Sequence, residues 1–198
     1  LDDVYTTNED TLLTVDAPGV LSNDTDVDGD TLTAVLVADA AHGTLALAAD
    51  GSFTYLPDLN WHGTDTFTYQ ISDSGGLTSS AEVTVTISSV NDYPQPEGLL
   101  SEYTTNEDTP ITINFNLTDV ETPPETLTMQ VVSGNTSIVS QSRITINGLE
   151  DTNPAVSITI NPLANKNGDV TFTLRASDGF QTAVYTFTLH ITPVNDAP

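Results

Sequence analysis

The sequence has no cysteine, one methionine, one tryptophan and only three basic side chains, Arg143, Lys166 and Arg175, among 198 residues. Without cysteine there is no disulfide, no thiolate nucleophile and no Cys-ligated zinc or iron–sulfur centre. No apolar run approaches the roughly 20 residues of a membrane-crossing helix, and Leu1-Asp2-Asp3 shows no signal-peptide pattern, so no membrane insertion is expected. Against the three bases stand 20 Asp and 8 Glu, a formal net charge of −25. That charge repels phosphate backbones and anionic lipid, so nucleic acid and membrane surfaces are excluded as expected partners. The partner such a surface calls for is a hard cation.

What is present points to a folded β-protein. The hydrophobic fraction of 37% is too high for a chain disordered by its own charge. Threonine, a strand former, occurs 33 times, and Asp, a turn and cap residue, outnumbers Glu. Apolar and polar residues alternate in Thr31–Val37, Phe67–Ile71, Glu82–Ile87, Ile111–Phe115, Val156–Ile160, Val170–Leu174 and Tyr185–Ile191. Asp28-Gly29, Asp50-Gly51, Gly75-Gly76, Asn147-Gly148 and Asn167-Gly168 mark turns between them. No stretch has convincing helical periodicity.

The chain repeats itself. Val4-Tyr5-Thr6-Thr7-Asn8-Glu9-Asp10-Thr11 returns as Glu102-Tyr103-Thr104-Thr105-Asn106-Glu107-Asp108-Thr109, and Val90-Asn91-Asp92-Tyr93-Pro94 as Val194-Asn195-Asp196-Ala197-Pro198. Ile71-Ser72-Asp73-Ser74-Gly75 pairs with Ala176-Ser177-Asp178-Gly179. Markers recurring in order predict two tandem domains, 1–94 and 95–198, with Pro94-Gln95-Pro96 as a stiff extended linker. Copies of about 100 residues with roughly seven short strands each predict an all-β fold of two Greek-key β-sandwich domains in line. Residues 1–94 hold 14 Asp, 2 Glu and no Lys or Arg, a charge of −16; the remainder carries −9.

The acids are grouped in patterns that suit calcium, which takes six to eight oxygen ligands in a flexible geometry. Asp24, Asp26 and Asp28, at alternate positions before Gly29, can turn several carboxylates inward. The spacing opens like an EF-hand loop but puts Val35 where the twelfth-position Glu belongs, and a strand follows instead of a helix. The loop is therefore either a calcium loop in a β context or a solvated acidic turn. A second cluster is expected at the junction, where Glu9, Asn91 and Asp92 would meet Asp119, Glu121 and Asp178. Carboxylates crowded together cannot all stay ionised without a counter-cation; alternatively, Asp92 and Asp196 cap turns before proline. Asp65 and Asp169, in matching Gly-rich turns, read as turn residues, with a ligand role as the alternative. His42, His62 and His190 are too scattered for a transition-metal site, and no nucleophile elbow or phosphate-cradling loop is present. The expectation is that the chain is not an enzyme. Trp61, in Trp61-His62-Gly63, either plugs a core or offers a low-grade sugar-stacking platform.

These motifs resemble the bacterial cadherin-like tandem repeats of about 95 residues that end in Val-Asn-Asp-x-Pro, found in RTX-type adhesins and other large secreted or surface proteins. Asn8-Glu9-Asp10 and Asn106-Glu107-Asp108 resemble the acidic opening strand of such a unit. The Asp-rich loop is matched by Asp24 to Asp30, including Asp26 and Asp28, and more briefly by Asp119-Val120-Glu121, which lacks the Asp-Gly turn. Asp73 and Asp178 resemble the late acidic position, and Asn91-Asp92 and Asn195-Asp196 the linker motif. The resemblance implies calcium as cofactor, a secreted or cell-surface location, and an adhesion or biofilm role as a calcium-rigidified rod. Implied partners are neighbouring repeats, with glycans or proteins of a host or cell surface as further ones. A carbohydrate- or protein-binding accessory module of a secreted enzyme or adhesin is the alternative.

Overall fold

A computed structural model describes residues 1–149 and 152–195. The chain divides into two compact units, Leu1–Val90 and Asn91–Pro198. Among the described residues the helical content is three single 3₁₀ turns, Gly19–Leu21, Pro124–Thr126 and Gln141–Arg143. None is long or apolar enough to cross a membrane.

Unit 1 contains β1 (Asp3–Asn8), β2 (Leu13–Val15), β3 (Thr33–Ala38), β4 (Gly43–Leu47), β5 (Phe53–Pro57), β6 (Gly63–Ser72) and β7 (Thr78–Ser88). They form one sheet of order β1-β7-β6-β3 and another of order β2-β5-β4. β1 lies parallel to β7, and β6 and β7 pair antiparallel with Phe67 opposite Val83. The period-2 pattern decides which residues point inward: along β6, Asp65, Phe67, Tyr69 and Ile71 are buried while Thr64 and Thr66 face out. Phe53 from β5 meets Phe67 from β6 edge-on at 5.5 Å between centroids, closing the two sheets on a core that also takes Tyr55, Val83, Val85 and Val20.

The loop between β2 and β3 is held to the body by one backbone hydrogen bond, beside side-chain bonds from Tyr69 and Ser74. The Val20 N–H donates to the Gly51 carbonyl at 3.0 Å. Both Gly19 and Gly51 have positive φ (+53° and +85°), and a Cβ on Gly51 would sit 2.0 Å from the Pro18 carbonyl oxygen. Glycine is required there twice over, by conformation and by space.

Unit 2 contains β8 (Gln95–Glu97), β9 (Glu102–Asn106), β10 (Ile111–Thr118), β11 (Thr128–Ser133), β12 (Ile144–Asn147), β13 (Ala155–Ile160), β14 (Gly168–Ser177) and β15 (Thr182–Thr192). Its sheets are β12-β13-β10-β8 and β11-β14-β15-β9, with β9 parallel to β15. Element for element, β9 to β15 repeat β1 to β7, and β8 is the addition. Phe172 and Phe187 stack at 5.1 Å on one sheet and pack with Leu117, Ile158 and Ile160 of the other. The Pro94-Gln95-Pro96 stretch, expected as a linker, instead supplies β8, which pairs with Asn116 to Thr118 of β10. Proline is tolerated there because β8 is an edge strand, where a missing N–H costs no ladder bond.

Candidate cation site

Each unit carries acidic residues at both ends of its sandwich. In unit 2, Asp178 precedes the start of β15, while Glu107 and Val194 lie beyond its Thr192 end. The ten steps from Thr182 to Thr192, at about 3.3 Å each, separate them by roughly 33 Å. Glu107 and Asn195 therefore stand apart from Asp119, Glu121 and Asp178. The same holds in unit 1 for Glu9, bonded to Val90, against Asp73, which precedes β7.

At the Asp178 end of unit 2 one network joins five of the expected ligands, Asn91, Asp92, Asp119, Glu121 and Asp178. The Asn91 side-chain amide donates to Asp178 Oδ2 at 2.7 Å and to the Asp92 carbonyl at 2.8 Å. The Asp92 N–H donates to Glu121 Oε2 at 3.0 Å. Asp119 Oδ1 accepts the N–H groups of Glu121 (3.2 Å) and Thr122 (2.8 Å), which folds the short acidic loop back on itself. Asp178 Oδ1 accepts from the N–H groups of Phe180 and Gln181, both at 2.6 Å, and the Gln181 side-chain amide donates to the Asn91 carbonyl at 3.3 Å. Burial pushes the Asp178 carboxyl up, but bonds from Gln181, Asn91 and Phe180 outweigh it and hold the carboxyl below the usual range. Asp178 is thus a carboxylate although only 7% exposed.

Three oxygens of this network are buried without a hydrogen-bond partner: Asp119 Oδ2, Glu121 Oε1 and Gln181 Oε1. Buried acceptors are costly unless something compensates them. Among the described residues, no Lys or Arg forms an ion pair with any of these acids. The donor set is all oxygen, from carboxylates and amides, which fits a hard cation such as calcium and does not suit a soft metal. Among the described residues, no three acidic or histidine side chains are already gathered as a metal cage; hydrogen bonds to backbone and amides hold these carboxylates.

Unit 1 has a related arrangement. Asp26 Oδ1 accepts the N–H groups of Asp28 (2.8 Å) and Asp30 (3.1 Å), closing the Asp-rich loop, and the Ser74 hydroxyl donates to Asp30 at 2.7 Å. Asn23, Asp24, Asp26 and Asp73 line a cleft of about 480 Å³, to which Asp28 and Asp30 do not contribute. Asp24 is also tied inward. The Tyr69 hydroxyl lies 3.0 Å from Asp24 Oδ2, 2.9 Å from Asp3 Oδ2 and 2.7 Å from the Val20 carbonyl, and the Leu1 ammonium pairs with Asp24. Burial, with the Asp24 charge beside it, raises the Asp3 carboxyl against the lowering bond from Tyr69. Glu9, 2% exposed, accepts the Val90 N–H at 2.5 Å; its other oxygen has no hydrogen-bond partner and lies 3.6 Å from His62. Glu107 does the equivalent with Val194 at 2.7 Å and with Asn167 at 3.3 Å. Asn195 is exposed, and Asp196 lies outside the described residues.

Some residues turn out differently from their sequence reading. Asp65 is no surface turn residue: it is 4% exposed and accepts from the N–H groups of Ala41 (3.0 Å), His42 (2.8 Å) and Thr66 (2.9 Å) and from the Tyr55 hydroxyl (2.9 Å). Its alternation with Phe67 and Tyr69 was the signal for its inward direction. Gln181 carried no acidic signature and was not among the expected ligands. Trp61 is half-buried against the unit 1 core and stacks with His42 at 4.3 Å and 10°. Tyr103 packs on the unit 2 core, while Phe180 is 85% exposed.

Two β-sandwich units, each with β-strand edges in parallel pairing and an acidic loop end, define a tandem Ig/cadherin-type module. Residues 1–89 match the bacterial cadherin-like domain model and residues 91–192 the bacterial Ig domain model. The chain belongs to these bacterial cadherin-like and Ig domain families, as a tandem repeat. Among solved structures it is similar to human CDH23 EC21-23, with 17% identity, a TM-score of 0.55, and coverage of 97% of this chain and 72% of that one. It is also similar to protocadherin gamma B2 extracellular cadherin domains 1-5, with 18% identity, a TM-score of 0.52, and coverage of 98% of this chain and 39% of that one. An endo-fucoidan hydrolase of glycoside hydrolase family 107 aligns with a TM-score of 0.41 and 17% identity; the chain spans 98% of its own length and 28% of that protein's. No curated protein matches in sequence. At these identities the structural likeness shows the fold. Domains of the two families are typical of extracellular or surface proteins, as structural or adhesive repeats that are not usually catalytic.

Proposed function

We propose that the chain is a calcium-holding structural and adhesive repeat of a secreted or cell-surface bacterial protein, its acidic loops stiffening an array of neighbouring repeats. The observation that carries this reading is the set of three buried, unpartnered oxygens, on Asp119, Glu121 and Gln181, in a network with Asp178 and Asn91. A bound calcium ion supplies the positive charge and the six to eight coordination positions that such oxygens lack. Asn91 and Asp92 follow directly on Val90, so fixing them restricts the backbone where unit 2 begins. Asp24, Asp26 and Asp73, around the unit 1 cleft, are the matching donors there, with Asp28 and Asp30 shaping the loop.

Ligands that bind only the native state stabilise it by mass action. With affinities of about 0.1–1 mM, usual for extracellular modules, 10 mM calcium stabilises a unit by about 1–3 kcal/mol. Scanning calorimetry of the intact chain in EDTA and in calcium measures this, and magnesium at equal concentration gives a much smaller gain. Asp119→Asn removes the gain of unit 2 and leaves that of unit 1. A chain whose transitions do not move with calcium contradicts the proposal.

A further inference from the structure

We infer that Gln181 supplies a neutral oxygen ligand to the cation whose other unpartnered donors are Asp119 and Glu121; in unit 1 the buried amide oxygen without a partner belongs instead to Asn23, in the loop that carries Asp24 and Asp26. The inference rests on the calcium reading above. Gln181 is fixed at two points: its backbone N–H donates to Asp178 Oδ1 at 2.6 Å, and its side-chain nitrogen donates to the Asn91 carbonyl at 3.3 Å. A flipped amide would set two acceptors against each other at Asn91, so the bond decides which end is oxygen. That oxygen is the buried, unpartnered Oε1, as Asp119 Oδ2 and Glu121 Oε1 are in the same network.

The repeat provides an internal comparison. In unit 1 the N–H of Leu77 donates to Asp73 Oδ1 at 2.8 Å, as Gln181 does to Asp178. Each is followed by the first residue of the last strand: Thr78 opposite Ser72, and Thr182 opposite Ser177. Leu77 and Gln181 therefore hold equivalent positions, and Leu77, 76% exposed, has no side-chain oxygen to offer. The Asp-rich run of unit 1 holds Asp24, Asp26, Asp28 and Asp30, where the matching run of unit 2, Asp119-Val120-Glu121, holds two acids. An amide oxygen restores a ligand to the shorter loop without adding a further like charge.

The test is a calcium titration of the intact ¹⁵N-labelled chain, following the backbone amides of Asp178 to Thr182 and the Gln181 side-chain amide. In the wild type these resonances shift saturably, the side-chain pair among them. Gln181→Leu, which copies unit 1, raises the calcium Kd of unit 2 about tenfold while the unit 1 resonances titrate as before. A Kd for Q181L within about twofold of wild type, with Asp119→Asn abolishing the shifts, overturns the inference and leaves the calcium reading standing. If the wild type shows no saturable shift in unit 2, the calcium reading itself falls and the inference with it. Should Q181L fail to fold, as judged by melting in EDTA, Gln181→Glu replaces it. An added charge on a ligand tightens Kd by about threefold or more, and an unchanged or weaker Kd overturns the inference.

Discussion

Asp65 shows how a single acidic residue in this chain can be structural when its neighbours are candidate ligands. Burial pushes its carboxyl up, but the N–H groups of His42 and Ala41, the Tyr55 hydroxyl and the Thr66 N–H outweigh that and hold it below the usual range. Burial and the bond to Asp65 push the Tyr55 hydroxyl far up in turn. A carboxyl held low when folded stabilises the native state above its unfolded value of about 3.9. That contribution is lost as pH falls through the lower folded value. Asp65→Asn keeps the shape and loses acceptor capacity and charge, so unit 1 loses about 1–3 kcal/mol at pH 7. The deficit shrinks below about pH 4. Trp61 is the only tryptophan and sits in unit 1, so its fluorescence in urea titrations at pH 7 and pH 3 reads this directly. Equal deficits at both pH values would contradict the assignment. Glu9 and Glu107, matched in sequence, are matched in use as well: each accepts the backbone N–H of the valine before an Asn-Asp pair.

Among the elements, long strands were legible and short ones were not. β6, β7, β10, β13, β14 and β15 alternate over enough residues for period-2 burial to show. β2 and β8 have three residues each, too few for a pattern, and β8 contains Pro96, which reads as linker until its edge pairing is seen. The repeat exposed the architecture because the second copy keeps the first copy's order of strands. The candidate site was legible only where acids marked it. Asp119, Glu121, Asp178, Asn91 and Asp92 were readable from charge and spacing, whereas Gln181 is seen only through its bonds to Asp178 and Asn91. The opposite strand-end placement of Glu107 from Asp178 follows from β15 alone, which no spacing of acids reveals. The β2–β3 loop depends on a backbone contact invisible in the pattern. Gly51→Ala adds a Cβ 2.0 Å from the Pro18 carbonyl at φ +85°, which destabilises unit 1 by about 2–4 kcal/mol. Urea unfolding followed by Trp61 fluorescence measures it, and a change under about 0.5 kcal/mol, the level of an ordinary surface substitution, would show that the loop is not anchored there.

For the whole molecule the governing quantity is charge. A net charge of −25 on 198 residues keeps the chain soluble and opposes compaction through self-repulsion. The three Lys and Arg residues all lie in the second half of the sequence, so unit 1 has no Lys or Arg to balance its loop, and its acids accept from N–H groups and hydroxyls instead. Monovalent salt screens such repulsion generally, whereas a divalent ion bound by oriented oxygens acts at particular sites and saturates. The most direct measurement of the central claim is therefore calorimetric titration of the intact chain with calcium at neutral pH and physiological ionic strength, with magnesium as comparison. Saturable calcium binding with Kd of about 0.1–1 mM, weak or absent for magnesium and lost from unit 2 in Asp119→Asn, is the predicted result. Heat that rises without saturation, and equally for both ions, would contradict it and leave the acids as solvated charge.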